Sequence, residues 1–541
     1  MRRFTGSIVD VVAGRVFPGH VEVEGERITR ISEDAAARGP YLMPGFVDAH
    51  VHVESSLLPP SEFARLAVTH GTAACVSDPH EIANVCGLAG IAAMQRDAAR
   101  SPLRFVFGVP SCVPATGFRT SGAVIDAATV TTLLDDPAWA YLSEVMNHPG
   151  VLSGDAEVLA KIAAAVRRAK PVDGHAPGLR GDDARRYAAA GITTDHECAS
   201  IEEARDKLDA GMSILIREGS AAKNYEALHP LLDSHPWRVM LCSDDKHPDD
   251  LAAGHIDALV RRALGDGHDL FDVLRAATLN PARHYGIPCG LLREGDPADL
   301  VVVDDLDALK VRETWLRGAL VAREGRSLLP RSVMPPIDAF GAAPITPDAL
   351  RVEARATRVK AIVARDGQLL TAASELTLDV TDGALTARDG DDVAKLAVLN
   401  RYRPAAPAVA FARGFGIHRG AIASSVSHDS HNVIAAGRDD ASLARAINAV
   451  VAMRGGLALV DGAAVRTLPL PIAGLMSDGD GWAVARDYAA MSEATRALGS
   501  TLRAPWMTLS FMALLVIPSL KLSDRGLFDG DRFAFTSVYA S

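Results

Sequence analysis

The chain has 541 residues, 48% hydrophobic and 23% charged, the balance of an ordinary folded enzyme with room for about three domains. Its net charge of −11, from 56 basic and 67 acidic side chains without a basic run, disfavours a nucleic acid as main partner, since neutralising phosphates takes clustered Lys and Arg. Six scattered cysteines with no C-x-x-C pair exclude a thiolate zinc cage and argue against a disulfide framework, so a reducing cytoplasm is the expected setting.

The start, Met1-Arg-Arg-Phe-Thr-Gly, has no apolar run behind its charge, and no signal peptide is expected. Residues 4–32 carry short alternating runs punctuated by Gly14, Gly19 and Gly25, the pattern of a β-meander. The same texture returns at 299–304 and 319–323. Between these flanks lie eight candidate strands, at 46–50, 72–77, 104–109, 139–144, 171–175, 192–196, 212–216 and 238–243, separated by helical stretches such as 155–169 and 182–190. Eight such units in that length predict a (β/α)8 TIM-like barrel. A doubly wound sheet is the alternative, but residues of ligand type end too many different strands for it.

Proline clusters at 327–350, and strands beginning at Lys360 and Gly456 then mix with helices over 442–453 and 482–498. The fold class is therefore α/β. Residues 1–44 and 286–330 form a flanking β domain, 45–285 the barrel, and 345–541 a C-terminal α/β domain. The most apolar run, 506–518, is too short to cross a bilayer and reads as core, so no membrane partner is expected. The open face of the third domain makes a homo-oligomer, a dimer or larger, the expected assembly.

The strongest chemical signal begins at Gly45-Phe-Val-Asp-Ala-His-Val-His52. Strand side chains alternate faces, so His50 and His52 leave one side and can chelate one ion. Four other strand ends carry Glu144, His175, His196 and the pair Asp244-Asp245. Barrel enzymes place their chemistry at those ends. Four imidazoles and two carboxylates meeting there can hold two divalent ions, which acidify water and polarise the bond under attack. The last aspartate can take the water's proton and pass it to the leaving group. Each residue has a plainer reading: a hydrogen-bonded histidine, a surface Glu144, an N-cap for the helix after Pro248. Six of them in barrel order outweigh those readings taken singly.

The chain resembles the amidohydrolase superfamily and, within it, the bacterial adenine deaminase family. The resemblance is carried by residues 43–56, 77–85, 144–151, 173–177, 194–197, 242–246, 427–432, 470–478 and 505–514, nearly end to end. It implies a β-sandwich built from both flanks of the barrel. It also implies hydrolysis of adenine to hypoxanthine and ammonia by metal-activated water, as in purine salvage. By the same resemblance His50, His52, Glu144, His175, His196 and Asp244 bind two ions, manganese or iron with zinc not excluded. Glu144 bridges them, and Asp244, chosen over Asp245 by its place directly after the strand, is ligand and proton shuttle.

Contacts to the purine fall to His80 or Glu81 after the second strand, the alternative being that Glu81 only stabilises the start of a helix over 81–99. His428 and His431, in the turn His428-Asp-Ser-His-Asn432, close the site from the C-terminal domain or bind a further ion; the plainer reading is a polar turn. Glu54 is either a second-layer support for a ligand or a solvated loop carboxylate. Gly414-x-Gly416 is a weak phosphate-loop candidate without the Lys-Ser/Thr of a P-loop. The zinc deaminases that use H-x-E with P-C-x-x-C are excluded, because no C-x-x-C exists. An acyl-amide or cyclic-amide hydrolase, a deaminase of another aminopurine, and a scaffold without catalysis remain the competing functions.

Overall fold

The computed structural model describes residues 1–388 and 390–540. Five parallel strands, Phe46–Val51, Thr72–Ser77, Arg104–Val109, Trp139–Val145 and Val172–Gly174, pair in chain order. Three more, Thr194–Asp195, Ser213–Arg217 and Val239–Cys242, form a second parallel sheet. Two seams join the sheets into a ring. At one, the Thr193 N–H donates to Val172 O over 2.8 Å; at the other, the Asp244 N–H donates to His50 O over 2.9 Å, with Val51 bridged to Asp244. Burial on both faces explains the near-continuous apolar runs, Phe46–Val51 and Thr72–Ser77 being buried at every position. Helices such as Ala156–Val166 and Gly181–Ala189 cover the outside, as the sequence pattern predicts.

Two strands are shorter than their predicted spans of 171–175 and 192–196. The Ala176 and Glu197 N–H groups each donate to the Asp195 carboxylate over 2.9 Å instead of continuing the ladder. That turn carries His175 and His196 inward at the mouth.

One buried carboxylate fastens the second seam. Asp48 accepts from the Ser243 N–H at 2.9 Å, the Ser243 hydroxyl at 2.5 Å and His255 Nε2 at 2.8 Å. Asp48 and His255 are almost fully enclosed. The strand bearing His50 and His52 is thereby held in register with the strand that ends at Asp244.

The flanks of the barrel join in one eight-stranded sheet, running from Arg326–Ser327 through Tyr41–Pro44 and Arg2–Asp10 to Arg27–Glu33. It curls on itself, so that Ile8, Val21 and Ile28 share a core with Leu300, Val302 and Trp315. The two layers of the sandwich are thus a single continuous sheet. The C-terminal part holds a second, mainly antiparallel eight-stranded sheet between Arg358 and Pro469, packed by the helix Asp440–Met453, with the helices Gly481–Ala497 and Pro505–Phe511 following. The apolar run at 506–518 is buried apart from partial exposure at its Pro518 end, as its composition predicts. Among the described residues no helix is long and apolar enough to cross a membrane.

Replacing Asp48 by Ala removes four hydrogen bonds, the fourth a 3.4 Å bond from the His50 N–H, and leaves Ser243 and His255 without their acceptor. The expected cost is about 3 kcal/mol of barrel stability, read as a lowered denaturant midpoint by fluorescence.

Candidate metal centre

Five strand ends deliver six side chains to one enclosed point, none of them more than 4% exposed: His50, His52, Glu144, His175, His196 and Asp244. Glu144 is the centre. Its Oε1 lies 3.3 Å from His52 Nε2; its Oε2 lies 2.7 Å from His175 Nδ1 and 3.1 Å from His196 Nε2. Asp244 Oδ1 lies 3.4 Å from His52 Nε2 and 3.7 Å from His50 Nε2. The two Nε2 atoms of His50 and His52 face each other at 3.1 Å, and the rings of His50 and His196 stack at 4.2 Å.

Hydrogen bonds behind the ligands fix which atoms point inward. His52 Nδ1 sits 3.2 Å from the Asp78 carbonyl, which can only accept, so Nδ1 carries a proton and Nε2 is the atom turned to the cluster. Asp244 adopts φ 51°, a left-handed turn open to Asp, Asn and Gly but uncommon elsewhere. Its Oδ2 accepts from Arg217 Nη1 at 2.6 Å, leaving Oδ1 for the cluster. The same guanidinium grips both oxygens of Glu197, one of them at 2.8 Å. Glu197 in turn stands 3.5 Å from His175 Nδ1 and 3.6 Å from His196 Nε2.

The electrostatics follow from enclosure. Burial pushes the Glu144 and Asp244 carboxyls up, but the charges of His175 beside Glu144 and Arg217 beside Asp244 outweigh it and hold both well below the usual range. Burial and the neighbouring His196 and His52 drive His50 far below an ordinary histidine, so it is a neutral donor of its lone pair. Burial lowers the other three imidazoles, but the facing carboxylates outweigh it and raise His52, His175 and His196, so these three share protons with ionised carboxylates and would give those protons up to a divalent ion.

The C-terminal domain closes the mouth. Both oxygens of Glu81 are taken, Oε1 by His428 Nδ1 and Oε2 by His431 Nε2. Asp429 forms a 2.5 Å ion pair with Arg119 of the barrel. Arg401, fully buried, donates to the His431 carbonyl at 3.2 Å and steadies the turn. A Cβ on Gly474 would lie 2.4 Å from that guanidinium, and its φ of 66° also calls for glycine. Met146, Leu369, Phe511 and Leu514 complete the apolar wall of the chamber.

All ten side chains predicted for the site are therefore brought together. His80 lies deeper than a substrate contact alone requires, its Nδ1 3.1 Å from Asp78 and 3.5 Å from Glu144. Two plainer readings are overturned: Glu144 is buried, and the residue preceding the helix Pro248–Ala253 is His247, not Asp244 or Asp245. Glu54 supports no ligand ring, and it is not a solvated loop carboxylate. It is buried, and its Oε1 accepts from the Ile82 N–H at 3.1 Å, satisfying a free donor at the start of the helix His80–Ala98. Gly414-x-Gly416 binds no phosphate, because its two N–H groups donate to Asp392 at 2.7 and 2.9 Å. Sequence reasoning assigned no role to Glu197, Arg217, Asp78 or Arg119, and took Asp429 only as part of the turn that closes the site. Arg217 had one signal: it ends a barrel strand, where a charged residue faces the mouth.

Residues 41–321 match the Amidohydrolase family, and residues 368–534 match the Adenine deaminase C-terminal domain. The chain belongs to the amidohydrolase family and, within it, to the adenine deaminases. It is 58% identical over 537 residues to an adenine deaminase of Salinibacter ruber, covering 99% of this chain and 98% of the relative. It is 46% identical over 553 residues to an adenine deaminase of Methanosarcina mazei, covering both chains fully. A solved N-acetyl-D-glucosamine-6-phosphate deacetylase from Mycobacterium smegmatis aligns over 60% of this chain and 100% of its own, with 19% identity and a TM-score of 0.46. The family implies a divalent metal, and the donors here fit one. Nitrogen and oxygen atoms of His50, His196 and Asp244, and of Glu144, His175 and His196, lie within 4.8 Å of one another in each group.

Arg217→Leu leaves Glu197 and Asp244 buried without their counter-charge. The expected result is metal affinity reduced about 10- to 100-fold in a chelator competition, with lower thermal stability.

Proposed function

We propose that the chain hydrolyses adenine to hypoxanthine and ammonia, using two divalent ions held by His50, His52, Glu144, His175, His196 and Asp244. The observation that carries this reading is the single buried cluster of those six side chains, in a chain alike from end to end to proteins named adenine deaminase. Manganese, with iron and zinc as alternatives, is the ion the family resemblance implies, and imidazoles and carboxylates without thiolate are compatible with it. Glu144 supports a two-ion assignment, since its oxygens face different partners, His52 on one side and His175 with His196 on the other. When bound, the ions supply acidified water and polarise the bond under attack.

The chain's own groups do the rest. Asp244 Oδ1 faces the cluster while Arg217 fixes Oδ2, so Asp244 can take a proton from water and hand it to the departing amine. Met146, Leu369, Phe511 and Leu514 offer the apolar surface against which a flat heteroaromatic ring packs. His80 and His428, each with a ring nitrogen that has no hydrogen-bond partner, supply the polar edge against which the base is oriented, while Glu81 and His431 hold His428 in place.

Ammonia release from adenine is the test. We expect turnover of adenine and none of N-acetyl or cyclic-amide substrates, loss of turnover on chelation, and recovery with Mn2+. Hydrolysis of an amide in preference to adenine, or an unchanged rate after verified metal removal, overturns the reading. Asp244→Asn should lower kcat at least about 100-fold with folding retained, by circular dichroism.

A further inference from the structure

His428 pairs a carboxylate behind it with a buried, unpartnered ring nitrogen, as His175 does with Glu144, but unlike His175 it is not one of the six candidate metal ligands. Its Nδ1 is bonded to Glu81, while Nε2 has no hydrogen-bond partner although the residue is only 2% exposed. The nearest acid to that atom, Asp245 Oδ1, is 3.9 Å away, beyond hydrogen-bond reach. His428 lines the chamber together with Glu144, Asp244, Asp245 and the apolar wall.

The carboxylate behind it is clamped. The Ser427 N–H donates to His431 Nδ1 at 3.1 Å, so His431 carries its proton on Nε2 and donates it to Glu81 Oε2. Glu81 Oε1 is left to receive the Nδ1 proton of His428. Phe511 stacks on the ring at 4.8 Å, and the backbone N–H of His428 donates to the Ser510 hydroxyl at 3.3 Å, holding the turn that carries it. A carboxylate, an oriented imidazole and a free Nε2 in line are the parts of an acid catalyst.

We propose that His428, oriented by Glu81, donates the proton that the ring nitrogen N1 must receive as water adds at C6. The proposal rests on the adenine reading above. Hydrolysis of adenine delivers protons to two different atoms, N1 and the exocyclic amine. Asp244 can serve the amine; a second acid is needed for N1, and the C-terminal domain supplies it. The oxygen–C6 bond forms, the C6=N1 electron pair moves onto N1, and N1 takes the proton of His428 Nε2. One water proton passes through Asp244 to the amine, whose bond to C6 then breaks with the electron pair leaving on ammonia. The second water proton, released as C6–O becomes a carbonyl, replaces the one His428 gave. Adenine and water yield hypoxanthine, protonated at N1, and ammonia.

The surroundings favour a charged ring at rest. His428 faces Glu81, Asp245 and Asp429 as acids, and His431 and the more distant His247 as bases. Burial lowers its pKa, but Glu81 and then Asp245 outweigh that and bring it to about 9, so Nε2 carries a proton at neutral pH.

The experiment measures kcat, KM and metal content for metal-loaded wild type, His428→Gln and His431→Gln across pH 6 to about 10. We expect His428→Gln to lose at least about 100-fold in kcat with KM changed only a few-fold, and to lose the alkaline limb of the profile. His431→Gln should lose less and keep that limb. A His428→Gln protein with full metal that retains more than about a third of kcat, or an unaltered alkaline limb, overturns the proposal. If His428→Gln fails to fold, Glu81→Gln decides: its alkaline limb should move to lower pH, and an unmoved limb refutes the assignment. Wild type inactive on adenine refutes the substrate reading instead.

Discussion

A carboxylate at the centre of a barrel mouth, with almost no water around it, is the constraint from which the rest follows. Glu144 keeps its charge there only because three imidazoles turn toward its two oxygens. Those imidazoles sit on separate strands, so their convergence requires a ring closed in register. Asp48 and the Asp244–His50 backbone bond supply the closure at one seam, and the Asp195 carboxylate bends two strands inward at the other side. A one-residue slip of the first strand would turn His50 and His52 to the opposite face.

Arg217 is the second fixed point. One guanidinium pairs with Glu197 and Asp244 together; burial pushes the Asp244 carboxyl up, but the guanidinium charge holds it well below the usual range. It also turns one Asp244 oxygen inward and keeps the other away. The C-terminal domain answers the same electrostatic problem from above. Its His428 and His431 bond Glu81, and Arg119 of the barrel bonds Asp429 in return, so each domain supplies charge that the other compensates. The chamber is thus a joint product of two domains, and the barrel alone lacks its lid and polar rim.

Much of this was legible from residue order. Strands buried on both faces read as continuous apolar runs, and a histidine or carboxylate at the end of such a run points to the mouth by geometry alone, which is why His50, His52, Glu144, His175, His196 and Asp244 could be named in advance. The partners of those residues were not legible. Arg119 and Asp429 are 310 positions apart and meet only through domain packing. Leu369, Phe511 and Leu514 look like any other core residue, because an apolar wall and an apolar core have the same composition. Glu54 misled for a related reason: it stands two residues past a ligand, yet the 3-10 turn Val53–Ser56 directs it to the next helix.

The central claim is that the six side chains surround two ions with Glu144 between them. A crystal structure of the manganese-loaded protein, with anomalous difference density recorded for manganese, tests it most directly. The account predicts two peaks per chain flanking the Glu144 carboxylate. A single peak, or peaks remote from Glu144, would contradict it.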